Sequence, residues 1–238
     1  MPTGESTPLF ARLEVIADEP PSDAALNMAT DEALLEGLTD QPLLRIYGWQ
    51  RKAVSFGYFD AVEPVRLAYP GRELVRRWTG GGVVEHGQDF TYSLMVPRTH
   101  ALTALRAEES YRLLHGKVAE AIAAADPKLP AVEEHQPGAG PTDPTSRACF
   151  VNAVRYDLLL AGHKVAGAAQ RRTRRGWLHQ GSIQFPGGEL GLYNQLRQTL
   201  PAVLGGEFDL RSIRPEEHAA ARELVRSKYG TNDWTQRF

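Results

Sequence analysis

Hydrophobic and polar positions alternate along this chain in two periods, and the changes of period mark its elements. In "PPSDAALNMATDEALLEGL" (20–38), Leu26, Ala29 and Ala33 recur at helical spacing behind Ser22, a predicted N-cap, with Asp23 in the first turn. Asn27 and Asp31 are spaced i, i+4 and share a face, which points polar groups either at a site or at water. "LLRIYGW" (43–49), "AVSFGYF" (53–59), "ELVRRW" (73–78) and "FTYSLMVP" (90–97) are rich in β-branched and aromatic residues and predict strands. A helix follows over about 104–123, with Tyr111, Leu114, Val118 and Ala121 on one stripe. "RYDLLLAGHKVAGAAQRR" (155–172) predicts a hairpin turning at Gly162–His163, and "GWLHQGSIQF" (176–185) a further strand. Helices near 188–200 and 215–228 complete the pattern.

The stretch 126–147 is irregular and rich in proline, and loops of that length serve either as functional lids or as tolerated insertions. The first eight residues predict a flexible tail. No internal repeat or domain boundary is visible, so residues 9–238 form one domain. The fold class expected is α/β of the α+β type, a mixed, mostly antiparallel sheet flanked by helices.

Composition narrows the class of function. The 238 residues are 42% hydrophobic and 24% charged, with a formal charge of −2. That balance exerts no general attraction on nucleic acid or anionic membranes, so neither is expected as a partner. One cysteine, Cys149, permits no internal disulfide and fits a reducing compartment. With no secretory signal pattern and no apolar run of membrane-spanning length, a cytoplasmic location is expected.

Candidate chemistry concentrates in two places. In "VRRWTGGGVVEHGQDFTYS" (75–93), Gly80, Gly81 and Gly82 either make a plain turn or let main-chain N–H groups approach a ligand. Arg76 and Arg77 lie on opposite faces of a strand, so only one can readily reach such a site. No Lys-Ser/Thr pair follows the glycines, which excludes a P-loop. In "GHKVAGAAQRR", Lys164 is followed by Ala166, Gly167, Ala168 and Ala169, which suits either a crevice where the lysine neutralises a phosphate or polarises an acyl carbonyl, or an exposed edge-strand lysine. Cys149 is either a small buried residue or a nucleophile made reactive by nearby cations. His86, His163 and His179 are possible bases without metal-ligand spacing. "RRTRR" (171–175) is a basic cluster that faces either an acidic partner or water.

Taken in order, "RRWTGGGVVEH", "TYS", "GHKVAGAAQRR" and "LHQGS", preceded by "LNMATDEALL" and "LRIYGWQRKAVSFGYF", resemble the blocks of the biotin/lipoate protein ligase and octanoyltransferase superfamily. The resemblance covers about residues 12–200. It implies an acyl tunnel under the glycine loop and transfer of a lipoyl or octanoyl group to one lysine of a lipoyl-domain protein. Implied acceptors are E2 subunits of 2-oxoacid dehydrogenases and the glycine-cleavage H protein; an acyl carrier protein is an implied donor. It further implies that Arg76, Thr79, Gly80, Gly81, Gly82, His86, Val165, Gly167 and Ala169 hold the acyl or adenylate group, and that Lys164 contacts the activated carbonyl.

The superfamily's ATP-dependent ligases need ATP and Mg²⁺, for which the resemblance implies Asp157. Its cysteine-dependent transferases place a cysteine just before the lysine hairpin, and Cys149 stands fifteen positions ahead of Lys164. Other octanoyltransferases carry their cysteine after the lysine, where this chain has none. "DFTYSLMVP" resembles the cysteine-dependent branch, while Gly82 resembles the ligases. The expectation favours a thioester on Cys149, with an ATP-dependent ligase as alternative and a non-catalytic acyl-binding homologue as a third reading.

Overall fold

The computed structural model describes residues 7–17, 20–136, 153–185 and 190–238. Cys149 and residues 137–147 of the irregular 126–147 stretch lie outside the described residues.

The chain runs β1 (Phe10–Ile16), α1 (Ala24–Glu36), β2 (Leu43–Tyr47), β3 (Ala53–Phe56), α2 (Val62–Ala68), β4 (Glu73–Arg76), β5 (Val84–His86), β6 (Phe90–Pro97) and α3 (Ala107–Ala125). It continues through β7 (Glu133–Glu134), β8 (Leu158–Leu160), β9 (His163–Arg172), β10 (Gly176–Ile183), α4 (Leu190–Leu204), β11 (Gly205–Leu210), α5 (Pro215–Leu224) and α6 (Asn232–Thr235). Eight strands form one sheet in the order β11-β1-β2-β6-β10-β9-β8-β7, and β4-β3-β5 form a second. Within the large sheet only β1–β11 and β1–β2 pair in parallel. The mixed, mostly antiparallel sheet expected from the sequence is therefore present.

Both faces of the large sheet are covered. Leu44, Ile46, Tyr92, Leu94 and Val96 point into a core closed by Leu114, Val118 and Ile122 of α3 and by Leu196 and Leu200 of α4. On the other face Leu43, Met95 and Leu178 meet Leu34 and Leu35 of α1. Every residue of β6 and β10 is consequently buried, polar residues such as Thr91, Ser93, His179 and Gln180 included.

Several boundaries differ from the sequence expectation. The α1 cap is Asp23, whose Oδ1 accepts the Leu26 N–H at 2.7 Å; Ser22 instead bridges to Trp49. Strand β1 and its parallel partner β11 show little periodicity, because β11, "GGEFDL", is an exposed edge fixed by register with β1. Helix α4 continues through Pro201, which is buried against the core. The turn of the β8–β9 hairpin is Ala161–Gly162, both at positive φ (49° and 79°).

Candidate active site

The glycine segment and the β9 hairpin meet over one cleft. Its apolar wall is Met28, Trp49, Val84 and the small residues Gly167, Ala168 and Ala169; its polar side carries Arg77, Ser55 and His86. An apolar slot with a cation at one side suits a chain that ends in a polarised oxygen.

Arg77 organises the glycine segment. Its guanidinium donates to the carbonyl oxygens of Gly80 (3.0 Å) and Gly82 (2.6 Å) and to Ser55 Oγ (2.7 Å). Gly81 adopts φ +86°, and a Cβ there would press on Ala169 Cβ at 3.3 Å. The glycines turn the chain and bring its backbone against β9. Thr79 is buried and donates to Gln180 Oε1 at 2.7 Å, which tethers the segment to β10.

The sequence assigned the ligand role to Arg76, and the pleat places it elsewhere. Arg76 is fully buried and donates to the carbonyl oxygens of Tyr58 (2.8 Å), Asp60 (2.6 Å), Trp234 (2.9 Å) and Thr235 (2.8 Å). It braces the C-terminal segment, and Arg77 is the residue that faces the cleft. Val165 also points away, into the core beneath α3 and α4.

His86 sits in a hydrogen-bonded row. Its Nδ1 lies 2.8 Å from Asp89 Oδ2, its Nε2 2.7 Å from Ser55 Oγ, and its ring stacks on Trp49 at 3.9 Å. Burial would raise the Asp89 carboxyl, but His86, Thr91 and Ser182 outweigh it and hold Asp89 below the ordinary carboxylate value. An ionised Asp89 fixes the proton on Nδ1. Nε2 shares a hydrogen bond with Ser55 Oγ, which also accepts from Arg77.

Lys164 lies within the sheet, between β8 and β10, and is not an exposed edge lysine. Its Nζ is 2.6 Å from Asp157 Oδ2, with both side chains buried (3% and 0% exposed). Asp157 also accepts the Tyr111 hydroxyl at 2.5 Å and the Val154 N–H at 2.7 Å. The lysine folds across Gly167, where a Cβ would stand 2.6 Å from Cε and 2.8 Å from Nζ. The small residues after Lys164 therefore have two uses: they line the cleft and leave room for the lysine itself.

Asp157 does not fit a metal ion. Both of its oxygens are engaged by donors, and the adjacent ammonium would repel a divalent cation. No group of three or more His, Cys, Asp or Glu suited to a metal occurs among the described residues.

The other histidines are not bases for this cleft. His163 is exposed at the hairpin turn. His179 is buried against Tyr92, and burial followed by the neighbouring His115 pushes its pKa well below the usual value. Trp49, Ser55, Arg77, Asp89, Tyr111 and Gln180 were not singled out as site residues from the sequence. Only Arg77 carried a readable signal, the pleat alternation with Arg76.

The site is thus an apolar slot beside the glycine segment, with the buried Lys164 folded against Gly167 of its wall. Residues 23–200 match the family described as Lipoyl protein ligase A/B catalytic domain, and the chain belongs to that family. The octanoyltransferase LipM of Brevibacillus brevis is 30% identical over 90% of this chain and 95% of its own length. LipM of Geobacillus kaustophilus is 34% identical over 88% and 93%. With LipM of Macrococcus caseolyticus, 34% identical, the similarity covers 66% of this chain and 60% of the relative. Among solved structures, lipoate-protein ligase A bound with ATP is similar in fold, with a TM-score of 0.71, 20% identity and coverage of 94% and 98%. The bipartite lipoate protein ligase of Thermoplasma acidophilum, solved with its E2 lipoyl domain, gives 0.65, 20% and 96% of both chains. No helix of the described residues is long and apolar enough to cross a membrane.

Proposed function

We propose that this protein transfers an octanoyl or lipoyl group from a thioester donor to a lysine of a lipoyl-domain protein, through an acyl-thioester on Cys149. The observation that carries the reading is the buried Lys164–Asp157 pair packed against Gly167 of the slot wall, in a chain whose relatives matched over nearly their full length are octanoyltransferases.

In the first half-reaction the Cys149 thiolate attacks the donor carbonyl, a C–S bond to the enzyme forms, and the donor leaves as a thiolate. In the second the neutral amine of the acceptor lysine attacks the acyl-enzyme; an amide forms, the Cys149 thiolate leaves, and the amine's proton passes to solvent or a nearby base. Lys164 supplies positive charge to the oxyanion in both steps, and Asp157 with Gly167 holds its ammonium in one place. The slot holds the hydrocarbon chain and excludes water from the thioester.

Acceptors fitting this chemistry are lipoyl domains of E2 subunits and the glycine-cleavage H protein, with an acyl carrier protein as donor. A second reading is an ATP-dependent lipoate–protein ligase acting through lipoyl-adenylate. It is favoured by Gly82 and by the fold shared with the ATP-bound ligase. The deciding assay offers octanoyl thioester without ATP, and separately lipoate with ATP and Mg²⁺, to a lipoyl-domain acceptor. Transfer from the thioester alone, abolished in Cys149→Ala, is expected. ATP-dependent transfer that survives Cys149→Ala would establish the ligase instead.

A further inference from the structure

Two side chains beside the Lys164–Asp157 pair take no part in the proposed chemistry, and both come from α3. Tyr111 and His115 stand one helical turn apart with their rings stacked, centroids 4.0 Å apart. Tyr111 shares the apolar stripe of Leu114 and Val118, which accounts for its ring but not for its hydroxyl.

The hydroxyl sits where β9 outruns its neighbour. Among the described residues β8 pairs with β9 only between His163 and Ala166, so Ala168 lies past its end. Tyr111 Oη accepts the Ala168 N–H at 3.0 Å and donates to Asp157 Oδ1 at 2.5 Å. One phenol thus satisfies both a strand N–H and a buried carboxylate oxygen. Burial first, and then Asp157, push the phenol's pKa well above its ordinary value, so it keeps its proton and serves as a donor, not a base.

His115 holds the backbone that carries Asp157. Tyr156, the preceding residue, adopts φ +69°, a left-handed conformation strained for so bulky a side chain. Such strain persists only where the surroundings enforce it, and it collects at functional sites. His115 Nδ1 donates to Tyr156 O at 2.7 Å, and the Tyr156 N–H donates to His135 O at 2.9 Å. Both peptide groups of Tyr156 are pinned in this way. Burial lowers the His115 pKa to about 4, so the ring is neutral and its one proton lies on Nδ1. Asp157 Oδ2 completes the arrangement, accepting the Val154 N–H at 2.7 Å beside Lys164 Nζ at 2.6 Å.

We infer that Tyr111 and His115 are positioning residues for the reaction: they fix the Asp157 carboxylate, and through it the Lys164 ammonium, against Gly167. The effect on catalysis rests on the reading of Lys164 as the charge at the acyl carbonyl, whereas the placement can be measured without turnover.

The experiment compares Tyr111→Phe, His115→Leu and His115→Asn with the wild type, each alone and combined with Asp157→Asn. Transfer is measured by whichever route turns over, octanoyl thioester alone or lipoate with ATP and Mg²⁺. Tyr111→Phe and His115→Leu should each lower kcat about tenfold and change KM for the acyl donor less than about twofold, because the slot is untouched. His115→Asn, whose Nδ2 can replace Nδ1 as donor, should keep most of the wild-type kcat. With Asp157→Asn already present, neither Tyr111→Phe nor His115→Leu should lower kcat further. Losses that multiply with that of Asp157→Asn, or that fall on KM alone, overturn the inference. Should one variant fail to fold, the other decides.

In parallel, the Lys164 ammonium is followed by nitrogen-15 NMR, its signal identified by its absence from Lys164→Gln. Its protons should exchange with water about tenfold faster or more in Tyr111→Phe and His115→Leu than in the wild type. Unchanged exchange in both variants overturns the inference. Faster exchange in a protein that transfers by neither route supports the placement and counts against the functional reading instead.

Discussion

Two buried ion pairs tie neighbouring segments to the same sheet, through Arg45 on β2 and Lys164 on β9, and the contrast between them separates framework from proposed chemistry. Arg45 and Asp31 meet at 2.7 Å, Lys164 and Asp157 at 2.6 Å, and all four side chains are at most 3% exposed. Around the first pair nearly every position is taken. Arg45 also donates to Asn27 O and Oδ1, and Asp31 accepts from Tyr47, Ser93 and Gln180. The cation is an arginine, which does not give up its proton and matches that planar arrangement of acceptors. The second pair uses a lysine, a compact charge on a flexible stem, folded over a glycine and beside an open slot. The first pair braces the slot through Gln180; in the proposed mechanism the second holds a positive charge in place beside Gly167, where the acyl carbonyl would arrive.

Substitutions should divide along that line. Arg45→Met strands a buried carboxylate and is expected to cost about 3–5 kcal/mol of stability, read as a lower urea midpoint. Asp31→Asn/Arg45→Met should recover part of that loss, because no uncompensated charge remains. In Lys164→Gln the protein that remains folded should transfer acyl groups about 10²–10³-fold more slowly, the magnitude of a lost oxyanion donor. Retention of wild-type kcat would reduce that pair to framework as well. Gly167→Ala keeps every charge but drives a methyl into the lysine stem, so transfer should fall about 10²-fold through misplacement alone. If Gly167→Ala proves as active as the wild type, the placement of Lys164 over Gly167 is wrong.

The smallest expected effect is a pH dependence near the second pair. His115 is buried against Tyr156 O (2.7 Å), and desolvation first, with Lys164 assisting, lowers its pKa from 6.5 to about 4, although Asp157 opposes the shift. Folded His115 stays neutral where the unfolded chain takes up a proton. Its contribution is therefore present above pH 6.5 and lost progressively as pH falls from 6.5 toward 4. The loss should be about 1 kcal/mol between pH 7 and 5.5, and His115→Asn should flatten that slope in urea titrations.

The sequence made the covered central strands, α1, α3 and the lysine hairpin legible, because their apolar periods are strong and their turns carry glycine. It hid β1 and β11, whose pairing is a matter of long-range register between residues about two hundred positions apart. Within the candidate site, the glycine segment, Lys164 and His86 stood out by residue type and order, while their roles rested on the family resemblance. The pleat argument correctly required only one of Arg76 and Arg77 to face the cleft but could not say which. That choice depends on the carbonyl groups around Trp234, which close over Arg76 from the far end of the chain. Asn27 and Asp31 were rightly seen to share a face; that the face meets Arg45, rather than water, is a tertiary fact.

The central claim is that the acyl group rests on the enzyme between donor and acceptor. Intact-mass analysis after mixing with octanoyl thioester, without acceptor, tests it most directly. The account predicts one octanoyl adduct that maps to Cys149, disappears when lipoyl-domain acceptor is added, and never forms in Cys149→Ala. Turnover with no adduct in the wild type, or an adduct that persists in Cys149→Ala, would contradict it.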